Sequence, residues 1–420
     1  MKTKIISILL VLLTITSCSG SGKVASMIEF TNKLAPDSDK QVILGDLYEV
    51  GDFGNQLDLV NNNGIRINVE NLHKNQKFRQ KKLTNSNLAA YPSVANGNIY
   101  TIDYSANVQS LDIETGNINW SIKLGLPKQK ITKATLTYHN DKLYVTADLN
   151  LYVFNADNGR EIYKAPLDNL VKNYPLIISN AFVLQDVANQ IKMYNTETWM
   201  PQWVYRTWQD DITTKAVISP VYSNGQLITV FSTGEIFSFD IKNGNQLWQR
   251  SMLRDLDDSM LYVPSDLSHT PIVSNNALYL ASNNDYLEKI NLNDASISWS
   301  RKVEDVISMN LSGNTLFVTN NARQLAAISD DDGSVIWVKD LISPDKMNKK
   351  RDNLNLANFT TPIISKDSIY IFSSIGDGFK FSAYTGDLLD YYRIPKGVTS
   401  LAIYNNKIIL FTQNSAYFLD

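Results

Sequence analysis

The chain has 420 residues, of which 44% are hydrophobic and 19% charged, and its formal net charge is −3. That composition is globular and carries no basic field of the kind that holds nucleic acid or another polyanion. A chain of this length ordinarily makes two or three domains, unless it is a repeat array that grows by adding units rather than new cores.

The N-terminus reads as a processing signal over residues 1–17. Lys2 and Lys4 supply positive charge, residues 5–15 form an apolar run too short to span a bilayer, and Ile15-Thr16-Ser17-Cys18 ends it. The tetrad resembles the lipobox of bacterial lipoproteins, in which small residues precede a cysteine that is lipidated and becomes the mature N-terminus. An ordinary signal peptide cut elsewhere is the alternative. Cys18 is the single cysteine of the chain, so its lipidation leaves no disulfide and no thiol chemistry. The sorting rule of such lipoproteins, with Ser19 rather than Asp after the cysteine, implies the outer membrane. Acyl chains anchor through about 0.8 kcal/mol per buried CH₂, leaving the rest of the chain soluble in the periplasm.

Residues 18–75 read as the lipidated cysteine followed by a tether or N-terminal extension. Ser19-Gly20-Ser21-Gly22 opens as a flexible leash, whereas 41–44 and 65–69 have strand character. An extended linker and a small structured extension both remain open.

From residue 76 to 420 the chain is all-β and repetitive. The founding unit is 91–124: a strand at 92–95, the two-residue turn Asn96-Gly97, strands over 98–103 and 108–113, a turn at Thr115-Gly116, and a last strand carrying Trp120. Four short strands in roughly 40 residues is the period of a β-propeller blade. The second repeat, 133–167, has Tyr163 in the place of Trp120, and the third, 173–206, keeps Trp203 but has Trp199 for the turn glycine. The fourth ends at Trp248, the fifth at Trp299 and the sixth at Trp337, while the seventh carries Asp390 at that position.

The eighth repeat begins at 396 and stops three strands in. An open blade edge would expose a row of unpaired backbone groups, so the missing strand is expected from 76–83, with Phe78 in the tryptophan slot. Seven repeats plus one shared between the termini predict an eight-bladed propeller of four-stranded antiparallel blades, about 43 residues each. Seven blades is the alternative if the termini do not pair.

The recurring aromatics (Phe78, Trp120, Tyr163, Trp203, Trp248, Trp299 and Trp337) could be taken for a ligand box. Each from Trp120 onward falls four residues after a turn glycine or its substitute, which marks them as anchors between blades, where an indole can bury about 150–250 Å². Glu114-Thr115-Gly116, Asp157-Asn158-Gly159 and Asp331-Asp332-Gly333 look faintly like calcium loops. They stand where a hairpin needs glycine and lack the later carboxylate ligand. His73, His139 and His269 have no metal-binding spacing, and no nucleophile or phosphate-cradle motif occurs, so no catalytic residue, metal or cofactor is expected. Two long connections stand out, 254–268 with Asp255, Asp257, Asp258 and Asp266, and 340–358 with Lys346, Lys349, Lys350 and Arg351. Connections of that length are either functional or solvated loops.

The strand-turn-Gly-x-x-x-Trp unit, as in LDIETGNINW and FDIKNGNQLW, resembles the repeat of the quinoprotein-like eight-bladed propellers. With the lipobox and the degenerate closing strand, the chain is similar to the lipoprotein family of the outer-membrane β-barrel assembly machinery. That resemblance covers 78–420 and the anchor. It implies a non-enzymatic scaffold whose partner is a POTRA domain of the barrel-building subunit. In that family the contacts come from a Leu-x-Leu-Arg stretch in the link after the third repeat and an acidic pair in the link before the fifth. They fall here on Ile212-Thr213-Thr214-Lys215 and on Asp266 and Ser268. Thr214 departs from leucine, Lys215 is a poor substitute for a bidentate arginine, and Ser268 stands where the second acid would be. The enzymatic alternative is a quinoprotein dehydrogenase holding pyrroloquinoline quinone over calcium. Such enzymes commonly carry a vicinal disulfide and long insertions that this chain lacks. An unrelated ligand-binding propeller is a further alternative.

Overall fold

A computed structural model of the chain describes residues 78–126, 130–208, 218–252, 270–282, 286–303, 305–342 and 357–419. All regular elements among them are strands, thirty-two in number, and they form eight antiparallel sheets of four. The signal segment 1–17, Cys18 and the extension to 75 lie outside the described residues.

Strand β1 (Phe78–Lys82) stands apart in sequence from its own sheet. Blade 1 comprises β2 (Ser93–Ala95), β3 (Asn98–Ile102), β4 (Asn107–Asp112) and β5 (Ile118–Lys123), within a residue of the expected bounds. Blades 2 to 7 repeat the meander: β6–β9 in 134–166, β10–β13 in 176–206, β14–β17 in 221–251, β18–β21 in 272–302, β22–β25 in 306–340 and β26–β29 in 363–393. Blade 8 takes β30 (Ser400–Tyr404), β31 (Lys407–Phe411) and β32 (Ser415–Leu419), and β1 pairs with β32 to complete it. The innermost strands β2 and β30 touch, as do β2 and β6, so the ring is closed.

Local chemistry explains the meander. Asn96 and Gly97 take φ of 48° and 74°, the left-handed pair that a two-residue hairpin turn requires. Burial runs almost continuously along the middle strands, as on β3, where Tyr100 and Ile102 pack in the cluster shared with blade 2 and Ile99 in the one shared with blade 8. The outermost strands β5, β9 (Glu161–Pro166), β13 (Pro201–Arg206) and β17 (Gln246–Ser251) share one pattern in which half-buried residues alternate with exposed ones. An outer edge has a neighbour on one face only.

The anchor slot locks each blade to the next. The indole N–H of Trp120 donates to Ala156 O at 2.8 Å, Trp203 to Ile241 O at 3.0 Å, Trp248 to Leu292 O at 2.7 Å, Trp299 to Asp330 O at 2.7 Å and Trp337 to Ala383 O at 3.2 Å. Each acceptor lies at the third-to-fourth-strand hairpin of the following blade. The ring of Trp203 leaves no room for a side chain at Gly244, where a Cβ would come within 2.6 Å of it. Glycine is required there twice over, because its φ is also +70°.

Register corrects one expectation. The anchor residue pairs with the fourth residue of the third strand, as Trp120 does with Ser110 and Trp248 with Ser238. In blade 8 that place opposite Phe418 belongs to Arg79, and Phe78 pairs with Leu419. Side chains alternate at every residue along a strand, so a one-residue offset exchanges faces. The contact to blade 1 is made instead by two cations. Arg79 Nη1 donates to Glu114 O at 3.0 Å, and Lys81 Nζ donates to Ile113 O at 3.0 Å, with the Lys81 stem lying over Gly116 as indoles lie over glycine elsewhere. Asp390 has a reason as well. It faces blade 8, where β32 and β1 are not joined by a hairpin, so a tryptophan in that slot would have no hairpin of the usual kind to dock on.

Candidate partner-binding face

In the blades where both are described, backbone hydrogen bonds tie the start of the outer-to-inner link to the second-to-third-strand loop, so the two share one side, the link face. Leu124 N donates to Ala106 O at 2.9 Å, Leu167 N to Leu149 O at 2.8 Å, Thr207 N to Asn189 O at 3.1 Å, Met252 N to Gly234 O at 2.8 Å and Ile394 N to Gly376 O at 2.9 Å. The long connections noted in the sequence, 254–268 and most of 340–358, lie outside the described residues. Among the described residues the opposite face carries tight hairpins alone.

Ile212, Thr214 and Lys215 lie in 209–217, and Asp266 and Ser268 in 253–269; all five are outside the described residues. What is described is the point from which the first of these links departs. Trp208 is 79% exposed there, the largest exposure among the large apolar residues described. Its carbonyl accepts from Asn189 Nδ2 at 2.7 Å. The Asn189 side chain is buried, with φ at +53°, and its Oδ1 accepts from Ser232 N at 3.1 Å and Ser232 Oγ at 3.0 Å in blade 4. One asparagine therefore ties together blade 3, blade 4 and the start of the link. A buried polar group so fully bonded sets the backbone path firmly.

Sequence reasoning missed Trp208, although a signal was present. Of the seven tryptophans, five fill the anchor slot and Trp199 fills the turn position, which leaves Trp208 with no place in the repeat.

Charged groups on this face include carboxylates committed to loops, among them Asp148, which accepts from Thr132 N at 2.8 Å and Lys133 N at 3.1 Å, and the lysines Lys133 and Lys172. Asp186 accepts from Ala188 N at 2.9 Å and Gln190 N at 3.0 Å, and Asp103 accepts from Asn107 N at 3.0 Å, so both carboxylates shape turns. Asp377 accepts from Tyr391 at 2.6 Å and from Arg393 at 2.5 Å. Lys133, half-buried beside the entry to blade 2, has its pKa lowered by desolvation and then by the positive charge of Lys172. No group of three or more His, Cys, Asp or Glu side chains suited to a metal occurs among the described residues.

Comparison with known proteins bears on the whole array. The family model described as outer membrane protein assembly factor BamB matches residues 107–339. An uncharacterized protein of Rickettsia conorii is 28% identical over 321 residues, covering 74% of this chain and 72% of that protein. Outer membrane protein assembly factor BamB of Shewanella oneidensis is 21% identical over 232 residues, 53% of this chain and 59% of that one. Among solved structures, BamB from Moraxella catarrhalis superposes with a TM-score of 0.68 at 14% identity, over 82% of this chain and 98% of that one. Quinohemoprotein alcohol dehydrogenase from Comamonas testosteroni reaches 0.60 at 10% identity, over 82% and 76%. At such identities the superpositions speak for the fold, which the two functions share.

Proposed function

The chain belongs to the family described as outer membrane protein assembly factor BamB, and from that membership we propose that it is a non-enzymatic scaffold lipoprotein of the outer-membrane β-barrel assembly machinery. It is anchored through Cys18 on the periplasmic side of the outer membrane. Its link face binds the POTRA region of the barrel-building subunit and so aids folding and insertion of outer-membrane proteins. Within that face, Ile212 with Thr214 is the apolar contact, and Lys215 and Asp266, with Ser268 beside it, supply charge and polarity.

One observation carries the placement: the indole of Trp208 stands 79% exposed where the link bearing Ile212 and Lys215 leaves blade 3. Large exposed aromatics on a fixed backbone are the usual anchors of an interface, since they bury much area at small entropic cost. The Asn189 bond to the Trp208 carbonyl supplies that fixed backbone. By contrast, the anchor-slot tryptophans are spent on holding blades together and are not available for a ligand.

The test is recovery of the acylated protein from detergent-solubilised membranes, with copurifying proteins identified by mass spectrometry. An outer-membrane β-barrel protein carrying POTRA domains is the expected partner, and its crosslinking should fall with Ile212→Asp, Lys215→Glu and Asp266→Arg at unchanged melting temperature. A copurifying quinone with calcium and dye-linked oxidation would instead establish an enzyme.

A further inference from the structure

Seven of the eight blade interfaces are filled alike at their outer corner: a side chain of one blade lies on the third-to-fourth-strand hairpin of the next. Indoles lie over Gly159, Gly244, Gly333 and Gly386, the Lys81 stem lies over Gly116, Tyr163 stacks on Trp199, and Trp248 donates to Leu292 O. The interface from blade 7 to blade 8 departs from this on both sides. Blade 7 carries Asp390 in the slot, and no hairpin joins β32 to β1, because β32 ends at Leu419 where its partner Phe78 begins β1. Gly116 precedes Trp120 by four residues, and Asn75 precedes Arg79, the slot residue of blade 8, by the same four. The segment that enters β1 therefore arrives at the hairpin position of the other blades.

The hairpin of blade 7 is itself unlike its six counterparts, all of which lie within the described residues. Its first turn residue is Tyr384, where blades 1 to 6 have Glu114, Asp157, Glu197, Lys242, Asn293 and Asp331. Tyr384 is 41% exposed, and Leu388 and Leu389, at the start of β29 (Leu388–Arg393), are 39% and 55% exposed. In blades 1 to 6 such a hairpin shows at most one large exposed apolar residue, namely Ile118, Ile162, Met200 or Leu247. Single exposed apolar residues are ordinary, whereas three within 384–389 make a patch.

Beside the patch, Asp390 is half-buried and turned toward blade 8. Its carboxylate accepts from Tyr391 N at 2.9 Å and lies against the Tyr392 hydroxyl. Lys380 stands opposite Asp390 in register, but its Nζ is placed over the Tyr370 ring, 5.5 Å from the centroid.

We propose that this corner of blade 7 is the seat of residues 65–77 of the same chain, which lie outside the described residues, with Lys74 and Lys77 meeting Asp390 and the apolar residues Ile65, Ile67, Val69 and Leu72 covering Tyr384, Leu388 and Leu389. Chain continuity brings this segment to Phe78, at the hairpin end of blade 8. Sheets packed face to face lie about 10 Å apart, and the six residues from Leu72 to Phe78 span up to about 20 Å, so blade 7 is within reach. Composition selects the same stretch. Ile65, Ile67 and Val69 alternate with polar residues, and 65–77 carries Arg66, Lys74 and Lys77 against Glu70, whereas 46–58 carries Asp46, Glu49, Asp52 and Asp58 with no cation. Asp390 repels the second stretch and complements the first. Seated there, the extension fills the hairpin position that blade 8 lacks and keeps the lead to residue 18 on the hairpin side, away from the link face. The inference goes beyond the functional reading and does not rest on it.

The experiment measures amide hydrogen exchange of 65–77 in the full chain and crosslinks the same segment to the corner. The variant Tyr384→Glu/Leu388→Gln/Leu389→Ser uses the residue types already present at the equivalent positions Glu114, Gln246 and Ser298, so the propeller should keep its melting temperature. Expected are slowed exchange over 65–77 in the wild type and about tenfold faster exchange there in the triple variant. Asp390→Lys should likewise speed exchange, and Lys74→Asp/Lys77→Asp in that background should restore protection. Under mild oxidation Leu72→Cys/Leu389→Cys should form a disulfide within one chain, while Leu72→Cys/Leu247→Cys should not. Exchange of 65–77 at the unprotected rate in the wild type, or protection that survives the triple variant, would overturn the proposal. So would a 72–389 crosslink formed between copies, which would assign the patch to self-association.

Discussion

The ring of Trp199 lies 4.9 Å from that of Tyr163 and nearly parallel to it, at 11°. Blade 2 has lost its anchor tryptophan and blade 3 has lost its turn glycine, and the two losses compensate: the indole has moved across the interface to the facing hairpin. Trp199 accepts φ of +62° to do so, a conformation that costs an L residue about 1–2 kcal/mol.

That exchange predicts strong coupling. Trp199→Gly should destabilise the protein by about 1–3 kcal/mol, since stacking and burial outweigh the backbone strain relieved. Tyr163→Trp alone should also destabilise, because Trp199 occupies the space, whereas the double variant recreates the arrangement of blades 3 and 4 and should recover most of the loss. Urea denaturation of the four proteins measures the cycle, and additive losses would show that the two residues do not substitute for one another.

Glycines in the same left-handed region should differ in cost according to what stands beside them. Gly225 has φ of +79° and nothing within 4 Å of a built Cβ, while Gly244 has φ of +70° and the Trp203 ring at 2.6 Å. Gly225→Ala should cost about 1–2 kcal/mol of backbone strain. Gly244→Ala should cost about 1–3 kcal/mol more through overpacking. Equal midpoints in urea would mean that the indole yields.

Ring closure depends on a strand held by no hairpin. Deleting 76–83 should lower the melting temperature and raise amide exchange in β30, β31 and β32, because β32 would become an uncovered edge. Deleting 19–63 should leave both unchanged. Identical melting of the two truncated chains would show that β1 adds nothing to blade 8.

Lys133 carries a pH signature. Its pKa is lowered from the ordinary 10.5 by burial and by Lys172, so between the folded and unfolded values the unfolded chain binds more protons, and stability rises with pH across that window. Below the window the penalty is constant. Lys133→Met should therefore be more stable than wild type at neutral pH, with the advantage fading as pH approaches 10.5, as measured by urea midpoints at several pH values. An advantage that stays flat to alkaline pH would assign it to packing instead.

The anchor is tested in cells. Cys18→Ser should abolish acylation and leave the protein either released in the periplasm or unprocessed, by fractionation and intact mass. Membrane association with an unchanged acylated mass would remove Cys18 from the role.

Much of the architecture was legible because its determinants are local. Asn96-Gly97 and its counterparts encode turns through backbone preferences of two residues, and the short apolar stretches recurring between them encode the strands, so period, blade number and the need for a donated closing strand follow from reading along the chain. The register of β1 was not legible, because no turn joins it to β32. Its pairing is set by a strand more than 330 residues away, with Gln80 opposite Tyr417 and Lys82 opposite Ser415, and a one-residue offset in the sequence reading moved the anchor slot from Arg79 to Phe78. Nor could the sequence tell which aromatics are spent in packing and which face outward. Trp199 and Trp208 lie nine positions apart in one repeat. Only the neighbouring blades, with Tyr163 against the first and Asn189 holding the backbone of the second, decide that one is stacked in an interface and the other left exposed.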